Sequence, residues 1–294
     1  MSEIERTPMI LVTGATGTNG CEIVKQLSTA GAQVRALVHN PQKASMLKGL
    51  NIEVVIGDFN EPETLDAALK DVDKAFLLSR PEPQQVKLQN NFIEAAKRSG
   101  TRHVVKFSAL GANLNAPAAI LRWHGQTEKQ LEETGIPFTH LQPNLFMQNM
   151  FRVAQTIATQ GIFYDRVGDT KFSFVDVRDI AAVALKVLTE EGHEGKVYSI
   201  TGAEALSFEE VAEKLSVAAG KKVTYVSVSP EDYKRRLLEI GVSEWFVDAV
   251  NEIYSYYSAG QGMIVTDVIA EVAKKQPTSF DQFTKDYAQR FKES

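Results

Sequence analysis

Gly14, Gly17 and Gly20 stand at three-residue spacing directly behind the apolar run Met9-Ile10-Leu11-Val12-Thr13. Three glycines between a strand and a helix suit one chemistry, the binding of a dinucleotide pyrophosphate. The first permits the tight turn, the second lets the backbone approach the phosphates, and the third lets the helix pack against the strand. The helix start adds free N–H groups and a partial positive charge. Thr16, Thr18 and Asn19, which lie between the glycines, belong to the same expected cofactor-binding set. The bland alternative is a glycine turn kept for packing alone.

The end of the second strand chooses the cofactor. NAD sites place an acid there, about 20 residues on, to hold the ribose 2′-hydroxyl. This chain reads Val34-Arg35-Ala36-Leu37-Val38-His39-Asn40, with Lys43 following and no acid. His39, Asn40 and Lys43 would tolerate a 2′-phosphate, so NADP(H) is favoured over NAD(H), unless Lys43 merely faces solvent. Asp58 and Phe59 follow the third strand, where the acid can accept from the adenine amino group or cap a turn. Leu78 and Ser79 follow the fourth, where the chain passes the cofactor's ribose and nicotinamide.

Hydride chemistry belongs to the nicotinamide, and the protein must orient it and stabilise developing charge. His124 is the expected catalytic group, because imidazole titrates near neutrality; it can equally be a histidine that only orders a loop or a cofactor contact. Glu128 lies one helical turn on and can orient His124 or face solvent. Asn144, Phe146 and Met147 follow the sixth strand, at the sheet edge where open α/β folds bind ligands, and are the expected substrate residues; with Met150, core packing is the competing role of the apolar ones. Cys21 reads as a small buried apolar residue, Lys234-Arg235-Arg236 as a solvated helix face, and the histidines show no metal-ligand spacing.

These residues need elements to hold them. Residues 9–13, 33–38, 52–56, 74–78, 103–107 and 138–141 are continuously apolar, as strands buried on both faces are. Helical stretches at 19–29, 42–47, 62–69, 83–99 and 118–134 alternate with them, and Gly31, Gly100 and Gly135 close three of these. The alternation implies an α/β fold, a Rossmann doubly wound parallel sheet. The pattern then changes. Residues 144–159, 177–189 and 207–219 read as helices, the last with a Ser207…Glu210 capping box, and 196–200 and 223–228 as strands. The aromatic-rich stretch 243–258 is expected to pack between helices or to wall an apolar cleft. Residues 1–143, completed by about 176–200, form the expected NAD(P)-binding domain; 144–175 and 201–294 form a smaller, mostly helical substrate-binding region.

The 294 residues carry 44% hydrophobic and 23% charged side chains and a net charge of −5. That is an ordinary globular balance, and the acidic sign argues against direct binding of nucleic acid. One cysteine allows no internal disulfide, stretch 1–8 lacks the pattern of a secretory signal, and no run approaches the roughly 18 apolar residues of a membrane span. A cytoplasmic location is expected.

The motifs together resemble the NmrA-like branch of the atypical short-chain dehydrogenases over nearly the whole chain. They are Gly14-x-x-Gly17-x-x-Gly20, Gly57-Asp58-Phe59, Lys106-Phe107-Ser108-Ala109-Leu110-Gly111, His124-x-x-Thr127-Glu128, Gly135-Ile136-Pro137-Phe138-Thr139, Phe174-Val175-Asp176-Val177-Arg178-Asp179-Ile180-Ala181 and Pro277-Thr278-Ser279-Phe280. The resemblance implies a Rossmann domain with bound NAD(P), and adds Ser108 to the cofactor-binding set. It implies one of two functions. The first is an NAD(P)H-dependent reductase of quinones or other conjugated apolar acceptors, as in the quinone and triphenylmethane dye reductases. The second is a non-catalytic redox sensor that regulates a protein partner, as in NmrA itself. The tyrosine–lysine pair of many short-chain dehydrogenases is missing: Trp123-His124-Gly125-Gln126-Thr127-Glu128 occupies that helix. The reductases resemble the chain more closely there.

Overall fold

The computed structural model describes residues 7–292; most of the N-terminal stretch 1–8 considered above lies outside the described residues. The chain divides into two compact units. The first takes in residues up to 114, 122–142 and 180–198, and the second 115–121, 143–179 and those from 199 onward. The strands are β1 Met9–Val12, β2 Gln33–Val38, β3 Glu53–Ile56, β4 Lys74–Leu77, β5 His103–Phe107, β6 Phe138–Pro143, β7 Ile162–Asp165, β8 Lys196–Ile200 and β9 Thr224–Ser227. The helices are α1 Thr18–Thr29, α2 Pro62–Leu69, α3 Gln85–Ser99, α4 Ala119–Glu133, α5 Ala154–Gln160, α6 Val177–Thr189, α7 Phe208–Ala219, α8 Pro230–Glu239, α9 Glu244–Ser258, α10 Val268–Ala273 and α11 Phe280–Asp286.

A seven-stranded sheet runs in the order β3-β2-β1-β4-β5-β6-β8. The neighbours from β3 to β6 pair in parallel. The chain builds outward from β1 to β3 and then returns to lay β4 on the other side of β1. The carboxyl ends of β1 and β4 therefore flank the point where the strand order reverses, which is where open α/β sheets bind ligands. One core of the first unit gathers Leu11, Leu37, Leu65, Leu69, Phe92 and Val104, joining strand faces to α2 and α3. Gly100, at φ 72°, closes α3 in the left-handed conformation that suits glycine.

Two expectations are modified. Residues 52–56 read as a strand buried on both faces, yet Val54 is 39% and Ile56 52% exposed, because β3 is the sheet's edge. The stretch 42–47 is helical as expected, but as the 3₁₀ helix Pro41–Leu47.

In the second unit β7 pairs in parallel with β9. The helix expected over 144–159 divides into a 3₁₀ turn, Met147–Arg152, and α5, because Asn144 and Phe146 are drawn into other contacts described below. Phe163, Phe172, Phe174, Phe208 and Phe280 pack as tilted or edge-on pairs with centroids 5.6–6.0 Å apart. Asp176 is buried under Arg178, whose Nη2 donates at 2.7 Å, and Gln148, whose Nε2 donates at 2.9 Å. Asp179 is buried under Thr278, whose N–H donates at 2.7 Å. The Phe174–Ala181 motif is thus a structural hub. The capping box forms as expected, Ser207 Oγ accepting from Glu210 N and Glu210 Oε2 accepting from Ser207 N. Ser207→Ala should lower stability by about 1 kcal/mol, read as a shifted urea midpoint at constant slope.

Candidate active site

At the end of β1 the chain turns through Gly14, whose φ of 62° favours glycine. Gly17 N–H donates to Gly14 O at 2.9 Å, and Cys21 N–H to Gly17 O at 2.8 Å, which starts α1. No side chain caps this helix. Its first N–H groups therefore lack an intrahelical partner and stay open to an anion. The three glycines are used differently. A Cβ at Gly20 would stand 2.1 Å from Gly14 O; one at Gly14 would stand 2.9 Å from Leu78 Cγ; one at Gly17 meets only Gly14 O at 3.3 Å. Gly20 is thus a packing glycine, and Gly17 borders open space where a phosphate would approach.

Thr13 fastens this turn to the end of β4. Its Oγ1 donates to Leu78 O at 2.8 Å and accepts from Leu78 N at 2.8 Å. Ser79 follows, and its Oγ accepts from Gln89 Nε2 at 2.9 Å. One turn earlier on α3, Gln85 brings its Nε2 to 3.5 Å from His124 Nδ1. The same ring nitrogen lies 3.0 Å from Lys106 Nζ. Polar contacts therefore reach from the glycine turn to Gln89, and from Gln85, one turn earlier on the same helix, to His124. Gln85 and Gln89 are almost fully buried at i, i+4 spacing, and sequence reading named neither. Gly125 lets this part of α4 sit against the chain at Asn113, whose backbone a Cβ would meet at 2.4 Å.

The electrostatics around His124 follow from burial. Burial, then the neighbouring Lys106, holds the imidazole well below its ordinary pKa. Burial pushes Lys106 down to about 7, opposed by Glu128. Burial also raises the Glu128 carboxyl, against the pull of Lys106 and of Gln142. Glu128 accepts from Gln142 Nε2 at 3.0 Å, so the expected Glu128–His124 contact gives way to Lys106 and Gln85. A signal for Lys106 was present: a lysine inside the buried run His103-Val104-Val105-Lys106-Phe107.

The remaining expected residues divide. His39 Nδ1 lies 3.1 Å from Asp58 Oδ2 at the ends of β2 and β3, and Asp58 Oδ1 accepts from Asn60 N at 2.8 Å. Asn40 caps the 3₁₀ turn, its Oδ1 accepting from Gln42 N at 2.9 Å, and Lys43 is exposed. Phe59 packs on Phe92, centroids 5.6 Å apart. In the second unit Asn144 is buried and its amide is engaged within the chain. Its Nδ2 donates to Ser173 Oγ and to Gly262 O, both at 2.7 Å, and its Oδ1 accepts from Leu145 N at 2.8 Å. Met147 is buried against Gly202, a packing role, while Phe146 is half-buried and bridges to Val175. Burial raises the Cys21 thiol pKa, which fits the unreactive reading. Among the described residues no group of His, Cys, Asp and Glu side chains could hold a metal, and no helix is long and apolar enough to cross a membrane.

The first unit has what a dinucleotide needs. Besides the uncapped helix and the glycine cradle, Asn19 Oδ1 and Gln89 Oε1 are buried with no hydrogen-bond partner. Buried polar atoms are normally satisfied, and these two sit on the turn and on the Ser79 side of α3. The NmrA-like family model matches residues 6–284. The chain belongs to the NmrA-like family. The NAD(P)H azoreductase of Xenophilus azovorans is 41% identical over 287 residues, covering 96% of this chain and 99% of the azoreductase. Among solved structures, the NADPH-dependent quinone oxidoreductase of Escherichia coli complexed with NADPH superposes with a TM-score of 0.86 at 30% identity, covering 95% of this chain and 99% of its own. The Citrobacter sp. triphenylmethane reductase complexed with NADP(H) superposes with a TM-score of 0.85 at 30% identity and the same coverage. Within this family the chain keeps the Rossmann sheet.

Proposed function

We propose that this NmrA-like chain is an NAD(P)H-dependent reductase that delivers hydride to a quinone-like or otherwise conjugated apolar acceptor. The observation that carries the reading is α3, whose buried Gln89 meets Ser79 beside the glycine turn and whose Gln85, one turn earlier, approaches His124, so that one helix spans from a phosphate cradle to a half-buried imidazole. Reductases of azo compounds, quinones and triphenylmethane dyes among its relatives support the same reading. The α1 N-terminus with Thr16, Thr18 and Asn19 would hold the pyrophosphate, while Leu78, Ser79 and Ser108 would border the ribose and nicotinamide. Bound NAD(P)H supplies the hydride. His124 stabilises the negative charge that the acceptor's oxygen or nitrogen gains with it, and a conjugated acceptor needs no stronger acid. We assign substrate contacts to the second unit, with Phe146 as its expected apolar contact.

The preference for NADP(H) over NAD(H) rests on the non-acidic end of β2, where His39 and the exposed Lys43 are available to a 2′-phosphate. Asp58 holds His39 in place for that contact. A cytoplasmic site of action is proposed from the single cysteine. The test is loss of NADPH absorbance with a panel of quinones and azo dyes. His124→Ala should lower turnover at least about tenfold and leave NADPH affinity nearly unchanged. NADPH binding with no oxidation across the panel would overturn the reductase and favour the sensor.

A further inference from the structure

A lysine inside a central strand is expensive to bury, because its ammonium leaves water. Lys106 is 0% exposed in β5, and no carboxylate stands within ion-pair distance of it among the described residues. Its Nζ lies instead 3.0 Å from His124 Nδ1 and 3.4 Å from Phe107 O. Gln85 approaches the same Nδ1 from α3. An ammonium and an amide nitrogen are donors only. With Lys106 as the ammonium, a ring nitrogen met by these two donors accepts, and its proton belongs on the other nitrogen. Nε2 has no hydrogen-bond partner among the described residues, which leaves its proton free for a ligand.

We propose that Lys106 is a positioning residue: by donating to Nδ1 it holds His124 as the neutral Nε2–H tautomer. His124 then meets the charge developing on the acceptor as a neutral hydrogen-bond donor, not as an imidazolium acid or a base. The inference rests on the reductase reading only for this last consequence; the tautomer stands on the contacts. The titratable groups that face Lys106 are consistent with it. Glu128, on α4, supplies negative charge that favours the ammonium, and His140, on β6, is held neutral by burial and by Lys106, its pKa pushed down to about 3. The opposite arrangement would be a neutral Lys106 accepting from Nδ1–H. It would leave Nε2 as an acceptor and turn His124 into a base.

Nitrogen-15 NMR of the imidazole rings, recorded on the full chain without cofactor or acceptor, separates these cases. The spectrum at pH 6.5 should show His124 with Nε2 protonated and Nδ1 bare. Lys106→Met should mix the tautomers and raise the His124 titration toward its ordinary value near 6.5. It should also lower kcat about tenfold with little change in acceptor KM, and add no further loss in a His124→Ala background. An Nδ1–H tautomer in the unaltered protein, or a tautomer unchanged by Lys106→Met, would overturn the proposal. Should Lys106→Met not fold, the spectrum of the unaltered protein decides alone. Absence of turnover with every acceptor would sink the reductase reading and leave the tautomer result intact.

Discussion

Gly17→Ala and Gly20→Ala should fail in opposite ways, one losing the cofactor and the other the fold. At Gly20 an added methyl carbon would lie 2.1 Å from Gly14 O and 2.6 Å from Gly14 C. Both are backbone atoms of the turn, so no side chain can swing aside, and α1 must move off β1. Overpacking of this kind costs about 3 kcal/mol or more, so the variant should unfold at clearly lower urea and bind NADPH poorly. At Gly17 the methyl meets one atom, Gly14 O, at 3.3 Å, and the backbone there is extended, with φ −87° and ψ 171°. Alanine adopts that conformation without strain, so stability should change by less than about 1 kcal/mol. The methyl would occupy the space a pyrophosphate needs, and NADPH affinity should fall about 100-fold, or about 2.7 kcal/mol. Fluorescence titration with NADPH and urea unfolding read the two effects separately. A Gly17→Ala protein with unaltered NADPH affinity would remove the turn from the cofactor site.

The contrast between these glycines explains what was legible in the sequence. Turn chemistry is local: three glycines between a strand and a helix dictate the backbone whatever lies elsewhere, and the turn formed where the spacing placed it. Strand burial is not local. Residues 52–56 are as apolar as their neighbours, and only the strand order, which puts β3 at the edge, exposes Val54 and Ile56. Asn144 shows the same limit. Its position after β6 reads as a ligand contact, but its amide is claimed by Gly262, 118 residues away, a partner no periodicity announces. The same event ends the helix expected from residue 144.

His124 lies between these cases. Its own position was legible, because imidazole titrates near neutrality and the His124-x-x-Thr127-Glu128 motif resembles the reductases. Its partner was not. Helical spacing nominates Glu128, one turn on, whereas the contacts come from Lys106, 18 residues earlier on β5, and Gln85, 39 residues earlier on α3. The site is assembled across strand–helix crossovers, and those distances in sequence are set by topology. The odd lysine within an apolar strand was the available clue: a charge placed where burial is certain must be held by something.

The same rule yields the second large effect, in the second unit. Asp165→Asn should stabilise the protein at pH 7. Asp165 ends β7 and is buried. Burial pushes its pKa up to about 6, outweighing the Arg166 N–H, the Arg166 charge and the hydroxyls of Tyr254 and Tyr233. Tyr225, on β9, donates to the Asp165 carbonyl and not to its carboxyl. The unfolded chain releases this proton near 4. Below about pH 4 both states hold it and it contributes no slope. Between about 4 and 6 the native state retains a proton that the unfolded state has lost, so stability falls as pH rises through that window. By pH 7 the cost is fully present, about 2 to 3 kcal/mol at 1.36 kcal/mol per unit. Asparagine removes the ionisation and keeps an oxygen for Arg166 N–H, which Asp165 Oδ1 accepts at 2.7 Å. Its amide would face the Tyr254 hydroxyl, now 3.4 Å from Oδ2. Urea unfolding of both proteins from pH 4 to 7.5 checks this: the two curves should lie close together at pH 4 and separate above it, with the variant more stable. A variant that is less stable at pH 7 would mean that the Asp165 charge is held by Arg166 more strongly than burial opposes it.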